Sequence, residues 1–224
     1  MNEFKITDVP EIKSPDSEIF SMKKPESSMS VKDAREFWDN RFKGGEESDV
    51  GDKGNLEQEV VDGKVQYYDD NGNLYRIDKD LLPNCEYVVN NYEYKTDEMG
   101  RIISAGGKLR LKEEQKYEPI KDSIQDIGKG SERMTDDRGH LIGSRFDGGD
   151  GLENAVPQDA KINRGDYNAF EGTLAKAVEE GKDVKIKVIP IYEGDSRRPT
   201  TIGVTYSING ELNIRIFPNS RGKE

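Results

Sequence analysis

Asp136-Asp137-Arg138-Gly139-His140, followed by Asn154-Ala155-Val156-Pro157-Gln158 and then by Asn163-Arg164-Gly165, holds the only histidine of a 224-residue chain. That count excludes any mechanism needing two imidazoles and any metal site built from several histidines. Gly139 lets the backbone bend beside His140, and Arg138 can hold an oxyanion. After this loop a helix is expected from Gly165 to about Glu180, because Phe170, Leu174, Ala177 and Val178 recur on one face and Gly181 follows as a stop. Glu171 comes eight residues after Asn163, which at 3.6 residues per turn leaves it about 80° around the helix.

Strand patterns lie on both sides. Val184 to Tyr192, Thr200 to Ile208 and Leu212 to Phe217 read as three strands, the last two joined by a turn at Asn209-Gly210. Upstream, Lys64 to Ile77 reads as a hairpin turning at Asn71-Gly72. Tyr87 to Lys95 and Arg101 to Leu111 read as a second hairpin around Thr96 to Gly100. Asp69, Asp70, Asn71 and Asn73 lack the spacing of a calcium loop, so turn chemistry accounts for them. Tyr87, Tyr92 and Tyr94 are expected in sheet packing rather than as stacking platforms. The pattern predicts an α+β domain.

Further out, residues 1–28 mix Pro10, Pro15 and Pro25 with Ser and Glu and read as a tether. A helix is expected from Ser30, with Val31, Ala34, Phe37, Trp38 and Phe42 at helical spacing and Gly44-Gly45 as a stop. The acidic, glycine-containing stretch 46–59 reads as a solvated linker. The expected division is an N-terminal region over 1–60 and a domain over 61–224.

Hydrophobic residues make up 32% of the chain and charged residues 35%, so part of it contributes little to a core. No apolar run is long enough for a membrane span, and Met1 to Lys13 lacks the order of a signal peptide. Cys85 is the lone cysteine, which forbids an internal disulfide and any multi-cysteine metal site. The net charge of −11 argues against a nucleic-acid partner until its distribution is read. Residues 1–70 carry −8, 71–130 carry −1 and 131–224 carry −2. A phosphate-binding site therefore remains open in the C-terminal part, where Arg133, Arg145, Lys161, Arg164, Arg197 and Arg198 could contact a phosphate backbone. Walker, dinucleotide-binding and nucleophile-elbow signatures are missing, which leaves kinase-like, dehydrogenase and serine-hydrolase readings without support.

Taken together, the Asp137-Arg138-Gly139-His140 motif, Asn154, Asn163 and Glu171 resemble the DNA/RNA non-specific endonucleases. The correspondence runs from about Asn84 to the end. Tyr94-Lys95-Thr96-Asp97, Gly139-His140-Leu141-Ile142, Ile189-Pro190-Ile191-Tyr192 and Arg198-Pro199 are most similar to the toxin-type members, the C-terminal warheads of secreted bacterial toxins. The resemblance implies a ββα-metal finger on an antiparallel β-sheet. It implies His140 as general base, Asn163 as direct ligand of one Mg²⁺ (with Mn²⁺ as a substitute), Glu171 on a metal-bound water, and catalytic parts for Arg138 and Asn154. It also implies DNA and RNA as substrates, a cognate immunity protein as partner, and an effector exported without a signal peptide to act in the cytoplasm of a target cell. Plainer readings stand beside these. His140 could be an idle loop histidine, Asn163 a helix N-cap, Asn154 a turn residue and Glu171 a solvated carboxylate. A binding module that keeps the fold without using its chemistry is the rival from another class.

Overall fold

A computed structural model describes residues 58–113 and 117–220. The tether and the helix expected from Ser30 lie outside the described residues. Strands β1 (Gln58–Val61), β2 (Lys64–Tyr68), β3 (Leu74–Ile77) and β4 (Asp80–Leu81) form a small sheet in sequential order. β1 takes the last residues of the stretch read as linker. The turn after β2 is built as expected: Asp69 accepts backbone N–H bonds from Asn71, Asn73 and, across the chain, Val88.

The main sheet has six strands, in the order β12-β11-β10-β7-β6-β5. It is made of β5 (Glu86–Val89), β6 (Tyr92–Thr96), β7 (Ile102–Lys108), β10 (Val184–Ile191), β11 (Thr201–Ile208) and β12 (Glu211–Pro218), with every neighbouring pair antiparallel. The single strand expected over 87–95 is in fact two. Asn90 and Asn91 both take positive φ, 53° and 60°, and so form a two-residue hairpin turn that the alternation of apolar residues concealed. The turn at Asn209-Gly210 falls where the sequence puts it, with φ of 51° and 87°.

One face of this sheet buries Val184, Ile186 and Val188 of β10 while Lys185 and Lys187 point away, the period-two pattern of a half-buried strand. Helix α3 (Asn168–Glu179) supplies Phe170, Leu174, Ala175 and Ala177 to the same core. Phe170 meets Tyr206 at 5.1 Å and Phe217 at 5.5 Å between ring centroids. Each such buried side chain contributes roughly 1.5–3 kcal/mol, which is why the helix can be short. A stack of Tyr75, Tyr87 and Tyr94, at 4.7 and 5.2 Å, joins the small sheet to the main one. Tyr87, Tyr92 and Tyr94 are buried packing residues, as expected. Arg76 of the small sheet adds a buried two-pronged ion pair to Asp122, at 2.7 and 2.8 Å, just before helix α1 (Ile124–Gly128).

The segment around His140 is no loop. Strand β8 (Asp136–His140) pairs antiparallel with β9 (Ala155–Asp159), Gly139 opposite Val156 and His140 opposite Ala155. A Cβ at Gly139 would lie 2.2 Å from Gln158 Oε1, so glycine is required for close packing across the ribbon rather than for a bend. The chain runs from β9 directly into a helix. Asp159 caps it, accepting from the N–H groups of Lys161 and Ile162. The helix thus starts at Ala160, five residues before the expected Gly165. It passes through α2 (Ala160–Ile162) and a π-helical turn (Asn163–Tyr167) into α3.

Candidate active site

The ribbon and the helix that follows it wall a cavity of about 530 Å³. His140, Asn163, Arg145, Arg164, Glu171 and Tyr117 are among the side chains lining it. His140 is 8% exposed. One ring nitrogen bonds the Glu118 backbone, while Nε2 is buried without a hydrogen-bond partner. Burial pulls the imidazole down to about 4, against the raising influence of Asp150 and the Glu118 bond. The ring is therefore neutral at pH 7, with Nε2 as the orphaned acceptor.

Asn163 is no helix cap, since Asp159 does that work. Its Nδ2 donates to Asp137 Oδ2 at 3.0 Å, which turns Oδ1 into the lone-pair donor of the amide. Asp137 also accepts two bonds from Arg164, at 2.6 and 2.8 Å. Burial alone would raise Asp137, but the bonds from Arg164 and Asn163 outweigh it and hold the carboxyl below its ordinary value.

The π turn changes the phase between Asn163 and Glu171. It inserts one residue, so the eight steps act as about seven, and the expected separation of about 80° shrinks to roughly 20°. Both side chains then face one cavity. Glu171 is no solvated carboxylate. Burial pushes it up to about 7, while Arg145, 3.8 Å away, and the Gly143 backbone N–H pull the other way. A Cβ on Gly143 would fall 2.5–2.7 Å from the Glu171 carboxylate, so that side chain can lie where it does only beside glycine.

Other expected site residues are placed elsewhere. Arg138 is exposed, is not among the residues lining the cavity, and reaches the Asp122 carbonyl at 3.3 Å, while its charge acts on both His140 and Asp137. Asn154 is fully buried. Its amide accepts from Ile142 N–H and donates to the Ile142 and Gly149 carbonyls at 2.8 Å. It braces the loop after His140 and cannot touch a phosphate. Arg198 is buried against Asp136, and Arg197 donates to the Met99 carbonyl at 2.6 Å; both are structural rather than substrate-facing. Arg133 and Lys161 line a neighbouring groove of about 500 Å³ that shares Arg164 with the cavity. Arg145 and Arg164 remain at the cavity itself. Sequence reading took Asp137 only as part of the motif, without a role, and missed Gly143 and Tyr117, because each is defined by a partner distant along the chain. Cys85 is buried and its thiol is pushed up to about 11 by burial, as expected of an inert packing residue.

An antiparallel sheet with a two-stranded ribbon leading into a helix, and His140, Asn163 and Glu171 in a shared cavity, defines the class. The chain belongs to the DNA/RNA non-specific endonuclease family, whose model matches residues 83–210. This is a family of hydrolytic endonucleases. Over 150 residues the chain is 36% identical to the type VII secretion system protein EssD of Staphylococcus aureus, covering 63% of this chain and 24% of that protein. It is 31% identical over 121 residues to the probable deoxyribonuclease RhsA of Dickeya dadantii, covering 54% of this chain and 8% of that one. The chain thus spans less than a quarter of the length of these relatives. A solved structure of NucA from Streptococcus agalactiae, with magnesium bound, is 20% identical, covering 75% of this chain and 86% of that chain at a TM-score of 0.42.

Proposed function

We propose that this chain is a Mg²⁺-dependent endonuclease that hydrolyses phosphodiester bonds of DNA, with RNA as a second substrate. In this reading β8, β9 and the helix starting at Ala160 are a ββα-metal finger, and the folded unit begins no later than Gln58. The observation that carries the reading is the pairing, in one cavity, of an orphaned neutral imidazole nitrogen with an amide oxygen held ready by Asp137.

The residues suit the ion. Among the described residues no cluster of three His, Cys, Asp or Glu side chains could hold a metal. A hard cation that keeps most of its waters needs only one or two protein oxygens, and Asn163 Oδ1 would be one of them. When bound, Mg²⁺ supplies positive charge for the phosphoryl oxygens and the departing 3′ oxygen. His140 Nε2 accepts the proton of a water that attacks the phosphorus, and the bond from its other nitrogen to Glu118 keeps the ring in the tautomer this needs. Glu171 would hold a water of the ion, and Arg145 and Arg164 would hold the phosphate.

The proposal extends to the wider setting, a toxin domain of a secreted antibacterial effector held in check by an immunity protein in the producing cell and acting in the cytoplasm of the target, and similarity to a type VII secretion system protein supports the secreted part of it. No helix among the described residues is long and apolar enough to cross a membrane.

A gel assay of plasmid DNA and RNA tests the chemistry. Cleavage is expected with Mg²⁺ and not in EDTA, and His140→Ala should lower it by about 10² to 10⁴, the usual loss for a general base. Undiminished cutting by that variant, or in EDTA, refutes the mechanism. Binding without any cleavage by the wild type would favour the binding-module reading.

A further inference from the structure

Tyr117 is the only exposed aromatic side chain among the described residues, 70% accessible, and it stands at the mouth of the catalytic cavity. Every other described aromatic ring is wholly or partly covered. Tyr87 and Tyr92 spend their hydroxyls on the carbonyls of Glu153 and Phe146, Tyr67 lies under Arg76, and Tyr192 under Arg101. Leaving one large ring in water beside a buried histidine needs a reason, and packing does not supply it.

The ring is fixed relative to the chemistry. Its centroid is 6.2 Å from that of His140 with the planes at 67°, an edge-to-face arrangement, and most of its surface stays uncovered. The next residue anchors it. The Glu118 N–H donates to Ser144 Oγ at 2.9 Å, the Glu118 backbone bonds His140, and its carboxylate pairs with Lys112. Arg145 and Arg164 line the same cavity and are the cations available to a phosphate there. A nucleobase hangs one sugar away from its phosphate, which is the order of the separation between the two rings. A base flanking a phosphate seated at His140 would thus lie within reach of Tyr117.

We propose that Tyr117 is a stacking platform for a nucleobase next to the scissile phosphate, and that it gives the site a preference for unpaired nucleotides. Any base presents a π face, so the platform adds affinity without reading sequence. In a duplex that face is already covered by neighbouring bases and must be unstacked first, whereas in a single strand it is open. The proposal rests on the endonuclease reading above.

The test compares a single-stranded oligonucleotide with a strand of equal length made of abasic sugar-phosphate units. Tyr117→Ala should raise KM for the oligonucleotide about five- to hundredfold, with kcat moving far less, and leave KM for the abasic strand unmoved. Tyr117→Trp should restore KM. In EDTA its added indole fluorescence should be quenched by the oligonucleotide and not by the abasic strand. An equal rise in KM on both strands, no rise on either, or a loss of kcat shared by both would overturn the proposal, the last because the ring would then only support His140. If the wild type cleaves nothing, the endonuclease reading fails, and the quenching in EDTA still decides for or against the platform.

Discussion

Asp136 and Asp137 are neighbours on one strand, each gripping an arginine through two bonds, and they serve opposite ends of the ribbon's work. The Asp136 side chain is wholly buried and holds Arg198, itself 6% exposed, at 2.7 and 2.8 Å. Asp137 holds Arg164, whose side chain is 75% exposed, and shares its carboxylate with the Asn163 amide. Successive residues of a strand point to opposite faces, so one carboxylate reaches Arg198 and the next reaches Asn163 and Arg164, which line the cavity. The first pair fastens the ribbon to the segment before β11. The second steers the Asn163 amide, the proposed Mg²⁺ ligand, and holds Arg164 at the cavity. Identical chemistry thus becomes architecture or function according to which face it lands on.

The sharpest way to break this contrast is Asp136→Ala, which leaves the Arg198 guanidinium buried without its partner. Loss of one member of a buried pair costs about 3–5 kcal/mol, read as a fall in the urea midpoint. A midpoint like that of the wild type would show that the buried pair does not hold the ribbon. Asp137→Ala should act on the other axis. With Asn163 no longer steered, the Mg²⁺ concentration for half-maximal cleavage should rise about 10- to 100-fold. The melting temperature should stay near that of the wild type, because an ion pair with so exposed an arginine adds little. A magnesium titration beside a thermal melt checks both, and a large fall in melting temperature would erase the distinction.

A smaller effect concerns pH. His140 is the single histidine, so its ring protons can be followed by NMR without assignment. They should titrate near pH 4 rather than 6.5, and the acid limb of kcat/KM should move the same way. The sign for stability follows. Between pH 6.5 and 4 the unfolded chain takes up a proton that the folded chain refuses, so stability falls as the pH drops through that window. Titration at the ordinary histidine value would mean that the ring is solvated and not enclosed by the site.

The ends of the elements explain how far the sequence could be read. Asn209-Gly210 and the alternation of β10 are local, and both were legible. The turn at Asn90-Asn91 was also local, but it sits inside a run whose apolar spacing continues across it. The helix start was misplaced because Asn163-Arg164-Gly165 looks like an entry, while the true cap, Asp159, follows directly on a strand. His140, Asn163 and Glu171 were identified by motif, and the cavity brings all three together. Arg197, Arg198 and Asn154 carry the right chemistry for substrate contact, but the fold engages them elsewhere.

By itself the sequence determined which atoms could do chemistry: one imidazole, one amide at a fixed distance along the chain from a carboxylate, and arginines in a nearly neutral C-terminal part. Tertiary structure alone decided which of them meet. The Glu171 carboxylate lodged beside Gly143, the partner that each aspartate meets, and the uncovered ring of Tyr117 beside His140 all depend on pairings between residues far apart in the chain. A propensity is set by a residue and its near neighbours, whereas burial and facing are set by what packs against it.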